Sequence, residues 1–426
     1  MLEMDFIREH TGLVRKDLEK RGQKNKIQLL EKLIEKDKQW RAFKIQADSL
    51  RMERNNINKK ISDLLVKKED VQVLINKAKQ LPIKIKELDK KISFLKDEIN
   101  KSLFLIPNIL HESVPVGIDE SENVEVKKWG CFDKKPNVIH HGLFAEKNNL
   151  ADFSSASRIS GAGFYFLKSD LALMEFALMK FAIDLLIKKG FTLINPPLMM
   201  RRKSYSGVTD LEDFEKVMYK IEGEDLYLIA TSEHPLAAMY SDKIFDLNEL
   251  PVKLIGFSPC FRKEIGKHSI DERGLFRVHQ FYKIEQFVFS LPDDSWKFHE
   301  ELLANAEELV QKLEIPYRVV NVCTGDIGSL ASKKYDIECW SPREQKFIEL
   351  VSCSNCTGFQ ATRLNIKFRK NNSKEFVHTL NSTAIASSRA LRLIIENFQT
   401  DENTVLVPKV LQPYMLGLKE IPLKDN

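Results

Sequence analysis

Residues 71–101 read VQVLINKAKQLPIKIKELDKKISFLKDEINK. Apolar side chains fall at Val71, Leu74, Ala78, Leu81, Ile85, Leu88, Ile92, Leu95 and Ile99, in alternating steps of three and four. A seam with that spacing, kept over about four heptads, specifies a supercoiled helix packed along a partner. The partner lies upstream, where Leu29, Leu33, Trp40, Phe43, Ala47, Leu50, Ile57, Ile61 and Leu64 recur at similar steps. The phase breaks at Lys67-Lys68-Glu69-Asp70. The two runs therefore predict one antiparallel helical hairpin over about residues 27–101, with its tip near residue 69. Pro82 stands inside the second limb and predicts a kink or a loosened turn there.

Charge is uneven along this arm. The second limb carries lysines 77, 79, 84, 86, 90, 91, 96 and 101 against Glu87, Asp89, Asp97 and Glu98. Arg51, Arg54, Lys59 and Lys60 add positive charge to the first limb. Such a face is either a solvated coiled-coil surface or a lever that tracks a phosphate backbone. The arm alone also fits a hairpin that binds another helix.

The whole chain has 426 residues, room for two or three domains. Its apolar fraction of 43% suffices for a sizeable core, and its net charge of +5 is too small to name a partner. Six cysteines at irregular spacing do not make a disulfide framework. The opening MLEMDFIREH lacks the apolar run of a signal peptide, and no stretch reaches the length of a membrane span. A cytoplasmic protein without a membrane partner is expected.

After Leu105 the texture changes. Ile106-Pro107-Asn108 ends the helix, and from about residue 130 β-rich runs alternate with helical ones. Strands are expected at 227–230, 252–257, 283–289 and 317–322, and amphipathic helices at 171–189 and 294–313. Neighbouring strands between separated helices predict an α+β domain with a mainly antiparallel sheet. The expected division is an arm-bearing domain over 1–105 and a second domain over 106–426.

Three patches of the second domain carry chemistry. The first, Gly190-Phe-Thr-Leu-Ile-Asn-Pro196-Pro197, runs from a helix end into a strand and a double proline. The second is Phe261-Arg262-Lys263-Glu264, then a polar loop with Lys267, His268, Asp271, Glu272 and Arg273, then Gly274 to Glu285. On a strand, Arg262 and Glu264 would share a face. Such an arginine can grip a phosphate while the carboxylate accepts from an amino group, though a structural ion pair uses the same two residues. In the third, Leu380-Asn-Ser-Thr-Ala-Ile-Ala-Ser-Ser-Arg389, small residues lead into a helix whose first turn bears an arginine. That arginine could reach a polyphosphate, or Ser387 or Ser388 could simply cap the helix.

In this order the three patches resemble motifs 1, 2 and 3 of class II aminoacyl-tRNA synthetases. Thr231-Ser232-Glu233, Phe261–Glu264, the run from Gly274 to Glu285, the run from Glu349 to Cys356, and the run from Leu380 to Arg389 resemble the seryl-tRNA synthetases in particular. Asp5-Phe-Ile-Arg-Glu, Leu13-Val14, Arg21-Gly22 and Ile106-Pro-Asn extend the likeness over nearly the whole chain.

The resemblance implies a class II catalytic domain behind a coiled-coil arm. It implies ATP-dependent activation of L-serine to seryl-adenylate and then transfer to tRNA(Ser), and leaves open whether tRNA(Sec) is also charged. Carried over, Arg262 and Arg389 are the catalytic residues, on the α- and γ-phosphates of ATP. Lys263, Glu264, Val278, Phe281, Glu349, Leu350, Val351 and Ser352 complete the ATP set. Glu349 and Ser352 would hold Mg²⁺. Thr231, Ser232, Glu233, Glu285, Asn381 and Thr383, with Arg262, form the serine set. The arm is implied to grip the tRNA of a homodimer.

Some residues depart from the family pattern. Ser232 stands where alanine is common, Asn381-Ser382-Thr383 where Asn-Gly-Ser is common, and Gly358 and Thr362 where Asp and Arg are common. Cys353 and Cys356 form a single C-x-x-C and read as buried thiols, because a structural zinc normally needs four ligands. His140, His141 and His268 read as surface residues. Three competing readings are a relative that loads a carrier protein, a scaffold for another amino acid, and a non-catalytic RNA-binding adaptor. The arm argues against the first, Thr231, Glu285 and Thr383 against the second, and Arg262, Glu264, Glu349 and Arg389 against the third.

Overall fold

A computed structural model describes residues 1–135, 137–210, 215–264 and 274–422. Two compact units emerge, Leu2–Pro107 and, with Met1, Asn108–Asn426. The polar loop residues Lys267, His268, Asp271, Glu272 and Arg273 lie outside the described residues.

The first unit is helical. Two short helices, α1 (Met4–Glu9) and α2 (Thr11–Lys20), precede the long α3 (Lys24–Val66) and α4 (Gln72–Leu105). At 1.5 Å per residue the long limbs span about 65 Å and about 50 Å. The turn between them lies at the expected tip, with Lys68 at φ +57° and Asp70 Oδ1 accepting from the Gln72 N–H at 2.9 Å. Leu33, Ala47 and Ile57 of the first run are buried, as are Val71, Leu81, Ile85, Leu95 and Ile99 of the second.

The seam has one polar break. Asp37 is buried where the apolar repeat skips from Leu33 to Trp40. Arg8 Nε and Nη2 donate to its two oxygens at 2.9 Å each, and Arg41 Nε adds a third bond at 3.0 Å. A buried carboxylate is tolerated when its acceptor sites are filled in this way. Pro82 does not end its helix, which runs unbroken from Gln72 to Leu105. It lies on the exposed side, and the carbonyl that loses its donor is that of Ala78, four residues back.

The second unit is built on an eight-stranded sheet. Its strands are β1 (Val124–Trp129), β2 (Thr192–Ile194), β3 (Val252–Phe261), β4 (Gln280–Ser290), β5 (Tyr317–Asn321), β6 (Lys333–Ser341), β7 (Lys346–Asn355) and β8 (His378–Ala386). Their order across the sheet is β1-β5-β6-β7-β8-β4-β3-β2. Every pair is antiparallel except β2 with β3. The expected α+β architecture with a mainly antiparallel sheet is therefore present.

Alternation along β4 assigns the two faces. Ile284 and Val288 point into the main core with helices α5 (Ser169–Lys188), α7 (Ser295–Lys312) and α9 (Ser387–Phe398). Phe287 and Phe289 point the other way, into a smaller core with the short helices α6 (Glu233–Ala238) and α8 (Phe359–Leu364). Gly358 and Thr362, two of the departures from the family pattern, bound the first turn of α8, where Thr362 Oγ1 donates to the Gly358 carbonyl at 2.8 Å. The face of Phe287 and Phe289 also carries the site.

Two β-bulges shape that face. Opposite β6, Val351 pairs with Ile337 and Glu349 with Glu338, so Leu350 is the extra residue. Opposite β4, Thr383 pairs with Glu285 and Ile385 with Ile284, so Ala384 is extra. An extra residue shifts the alternation by one position and re-aims the side chains beyond it.

Candidate active site

The bulges explain how residues of unlike spacing meet. On β4, Phe281, Lys283 and Glu285 alternate onto one face. On β8, Asn381 and Thr383 share that face, and the bulge passes the next inward position to Ala386. On β7 the bulge at Leu350 brings Glu349, Ser352 and Ser354 to the same side and sends Val351 into the main core. All of these except Val351 line one cavity of about 510 Å³.

Arg262 enters from the end of β3, its N–H bonded to the His279 carbonyl at 2.9 Å and its Nε to the Ala230 carbonyl at 3.3 Å. Its guanidinium carbon lies 5.3 Å from the centre of the Phe281 ring. His279 Nδ1 lies 2.8 Å from both the Arg262 carbonyl and the Tyr219 hydroxyl. The β-strand stops at Phe261, so Arg262 and Glu264 do not share a strand face as expected. Glu264 has φ +45°, and both nonetheless reach the cavity.

A small polar compartment forms the inner end. Glu233 opens the first turn of α6, where Thr231 Oγ1 accepts its backbone N–H at 3.2 Å. Gln360 Nε2 donates to Glu233 Oε1 at 2.9 Å and is itself fixed by Thr379. Thr383 Oγ1 lies 3.4 Å from Glu285 Oε2, and Lys283 Nζ is ion-paired with the same carboxylate. Burial and the charge of Glu285 push Glu233 up to about 7, against the pull of Lys283 and Arg262. Burial and the same two cations drive His234 down to about 3, so it stays neutral.

The outer end is held by Arg389 in the first turn of α9. Its Nη1 donates to the Glu349 carbonyl at 2.7 Å and lies 3.4 Å from Glu349 Oε2. The half-exposed Glu349 sits below its ordinary range: partial desolvation opposes this, but Arg389, Lys334 and Arg262 outweigh it. The Arg389 and Arg392 guanidiniums lie 5.4 and 4.7 Å from the Phe276 ring centre.

Of the residues proposed from sequence, Thr231, Glu233, Arg262, Glu264, Val278, Phe281, Glu285, Glu349, Leu350, Ser352, Asn381, Thr383 and Arg389 line the cavity. Ser232, Lys263 and Val351 do not. Ser232 is fully buried and donates to the Gly256 carbonyl at 3.2 Å, in a spot where a Cβ on Gly256 would meet it at 2.6 Å. Lys263 directs its amine to the Tyr219 ring at 5.7 Å. Neither Ser387 nor Ser388 caps α9: the flanking residue is Ala386, and Ser387 Oγ accepts from the Tyr282 N–H at 3.0 Å.

Sequence reasoning overlooked Lys283, Phe276, Ser388 and the segment from Ile327 to Ala331, all of which line the cavity. Lys283 was legible, since it alternates with Phe281 and Glu285. His141 is a correction. It is fully buried rather than on the surface, with Nδ1 at 3.1 Å from Glu396 and Nε2 accepting the Leu275 N–H at 3.0 Å. Glu396 is drawn down to about 2, since the bonds from His141 and Ser341 and the charge of Arg392 overcome burial. Cys353 and Cys356 are buried thiols.

Comparison with known proteins agrees with this geometry. The family described as tRNA synthetase class II core domain (G, H, P, S and T) matches residues 216–398. The seryl-tRNA synthetase N-terminal domain matches residues 1–110. A serine–tRNA ligase from Methanocella arvoryzae is 55% identical over 423 residues, 98% of this chain and all of the relative. The crystal structure of seryl-tRNA synthetase from Pyrococcus horikoshii complexed with ATP superposes with a TM-score of 0.96 at 46% identity, covering 99% of each chain. Cytoplasmic serine-tRNA ligase from Naegleria fowleri in complex with AMP gives 0.89 at 38% identity, over 100% of this chain and 99% of the other. With both halves of the architecture matched and the relatives aligned from end to end, the chain belongs to the seryl-tRNA synthetase family of class II aminoacyl-tRNA synthetases.

Proposed function

We propose that this cavity joins L-serine to ATP, releasing pyrophosphate and forming seryl-adenylate, and then passes the seryl group to the 3′-terminal ribose of tRNA(Ser). The observation that carries the reading is the shared cavity itself, with a cation at each end and a small acidic compartment inside. Arg262 neutralises the α-phosphate as the serine carboxylate attacks it, and Arg389 draws the outer phosphates away. Phe281, Val278 and Glu264 hold the adenine side. Positioning and charge neutralisation supply the rate enhancement, since no protein atom needs to form a bond with the substrate.

Thr231 and Glu233 take the α-amino group, and Glu285 and Thr383 the hydroxyl. A compartment that donates to and accepts from a hydroxyl rejects alanine, whose methyl leaves those groups unpaired. ATP–pyrophosphate exchange tests the substrate directly. Serine supports it, and alanine does so about 10³-fold less well or worse by the same argument. Faster exchange with threonine, cysteine or alanine than with serine overturns the assignment.

The raised Glu233 gives this site a pH dependence. An ammonium group favours the ionised carboxylate, so serine binds best above about 7, where Glu233 is already charged. Below it, binding must expel a proton, and the KM for serine rises toward about tenfold per pH unit. Glu233→Gln flattens the profile between pH 6 and 8 while raising KM throughout. An unchanged slope in that variant rejects the role of Glu233.

Magnesium fits the outer end. Glu349 and Ser352 offer hard oxygens on one face, the donor set a small divalent cation prefers. Held there, the ion supplies charge neutralisation to the phosphates as pyrophosphate departs.

The arm is proposed as the tRNA-binding element of an N-terminal domain over residues 1–105, the remainder being the catalytic domain. Lys59, Lys60, Lys79, Lys84, Lys86, Lys90 and Lys96 are all exposed, which suits contact with a phosphate backbone. Shape and charge would carry recognition, because the A-form major groove is too narrow to read. A homodimer is supported by the apolar side chains left open on and near α5, where Phe176 is 63% exposed and Phe166, Ile187 and Leu193 are also open. A cytoplasmic location suits the unpaired thiols, and no helix among the described residues is long and apolar enough to cross a membrane.

A further inference from the structure

Behind the proposed metal position lies a carboxylate with no assigned task. Asp336 on β6 pairs in register with Ser352 on β7. Directly opposed residues project from the same face of a sheet, with Cβ atoms about 5 Å apart. Asp336 therefore stands beside the Ser352 hydroxyl on the cavity side, and is only 4% exposed. Its Oδ2 takes Lys334 Nζ at 3.2 Å. Its Oδ1 is enclosed and has no hydrogen-bond partner among the described residues. A buried carboxylate oxygen without a donor is costly and calls for an explanation.

The Ser352 hydroxyl can supply that donor. A serine that binds a cation does so through an oxygen lone pair and keeps its proton, which then needs an acceptor. Ligands of metal ions are oriented in this way by a partner that takes their remaining hydrogen. Lys334 is paired with Oδ2, and Oδ1 is the oxygen that still lacks a donor.

Resting on the magnesium reading given above, we propose that Asp336 is a positioning residue that accepts the Ser352 O–H, turning the serine lone pair toward the divalent ion held with Glu349. No bond is made or broken, and the proton stays on Ser352. An asparagine at this position turns its amide N–H₂ toward one of two neighbours: toward Lys334 it meets a like donor, and toward Ser352 it competes for the lone pair.

Manganese is the probe, with a non-hydrolysable ATP analogue bound to the full-length protein and free Mn²⁺ read by its magnetic resonance signal. Asp336→Asn and Asp336→Ser each weaken Mn²⁺ about tenfold or more. Ser352→Ala does the same, and the Ser352→Ala/Asp336→Asn double variant is no weaker than Ser352→Ala alone. The Asp336 variants also lose the partner of Lys334 and so melt lower, but their metal-free binding of the analogue stays near wild type and reports an intact cavity. Mn²⁺ affinity within twofold of wild type in a folded Asp336 variant, or additive losses in the double variant, overturns the inference. Failure of the underlying metal reading looks different: Glu349→Gln and Ser352→Ala would then both leave Mn²⁺ affinity unchanged.

Discussion

Arg262→Ala lowers serine-dependent ATP–pyrophosphate exchange about 10²–10³-fold, the range for loss of one preorganised donor aimed at developing charge. The loss falls on kcat more than on the KM for ATP, because the phosphate charge Arg262 meets is greatest in the transition state. Arg262→Lys rescues little. A guanidinium presents a rigid planar fork, and Arg262 uses Nε for the Ala230 carbonyl, leaving its terminal nitrogens for the phosphate. An ammonium cannot make both contacts in that geometry. Arg389→Ala acts at the other end of the nucleotide, with a smaller effect on kcat and a larger one on pyrophosphate release. It also removes the bond to the Glu349 carbonyl, so its phenotype includes a raised requirement for divalent ion. Exchange by Arg262→Ala within about threefold of wild type, with the melting temperature unchanged, removes Arg262 from the chemistry.

The fold was largely legible because it rests on a heptad seam and on runs rich in β-forming residues. The heptad seam marked both limbs and the tip, but it took Leu29 where Leu30 is buried, and it broke at Asp37, whose partner Arg8 lies 29 residues away. Runs rich in β-forming residues marked β3 and β4, although β4 is buried on both faces and shows no clean alternation. The site was less legible because it depends on where alternation is broken. Nothing between Lys346 and Asn355 announces that Leu350 is the bulged residue, yet that bulge decides that Glu349 and Ser352 share a face while Val351 does not. Reading contiguous runs such as 231–233, 262–264 and 349–352 as uniformly functional therefore admitted Ser232, Lys263 and Val351. His141 was misread for another reason. Its burial comes from Glu396, 255 residues away, and no local pattern carries a contact of that range.

Shortening the arm separates the two halves of the reaction. Phe43 and Lys91 face one another across the hairpin, with Lys91 Nζ 5.4 Å from the Phe43 ring centre. Removing residues 44–90 and joining the stumps with a short glycine linker keeps that contact, the Lys36–Glu98 bridge and the Arg8–Asp37 pair. The base of the hairpin thus retains its own anchors, while Lys59, Lys60, Lys79, Lys84, Lys86 and Lys90 are lost. Serine-dependent exchange, which needs only the cavity, stays within about twofold of wild type. Charging of tRNA(Ser) falls about 10³-fold or more, the order expected when several phosphate contacts disappear together. The salt dependence separates a charge-tracking arm from a merely structural one. In the intact chain, replacing Lys84 or Lys86 by alanine lowers the slope of log affinity against log salt by about one per phosphate contact removed. A structural arm would lose affinity on truncation but leave that slope untouched in the point variants. Normal charging by the shortened protein would send the basic face back to being a solvated surface, and recognition of the tRNA would then have to reside outside residues 44–90.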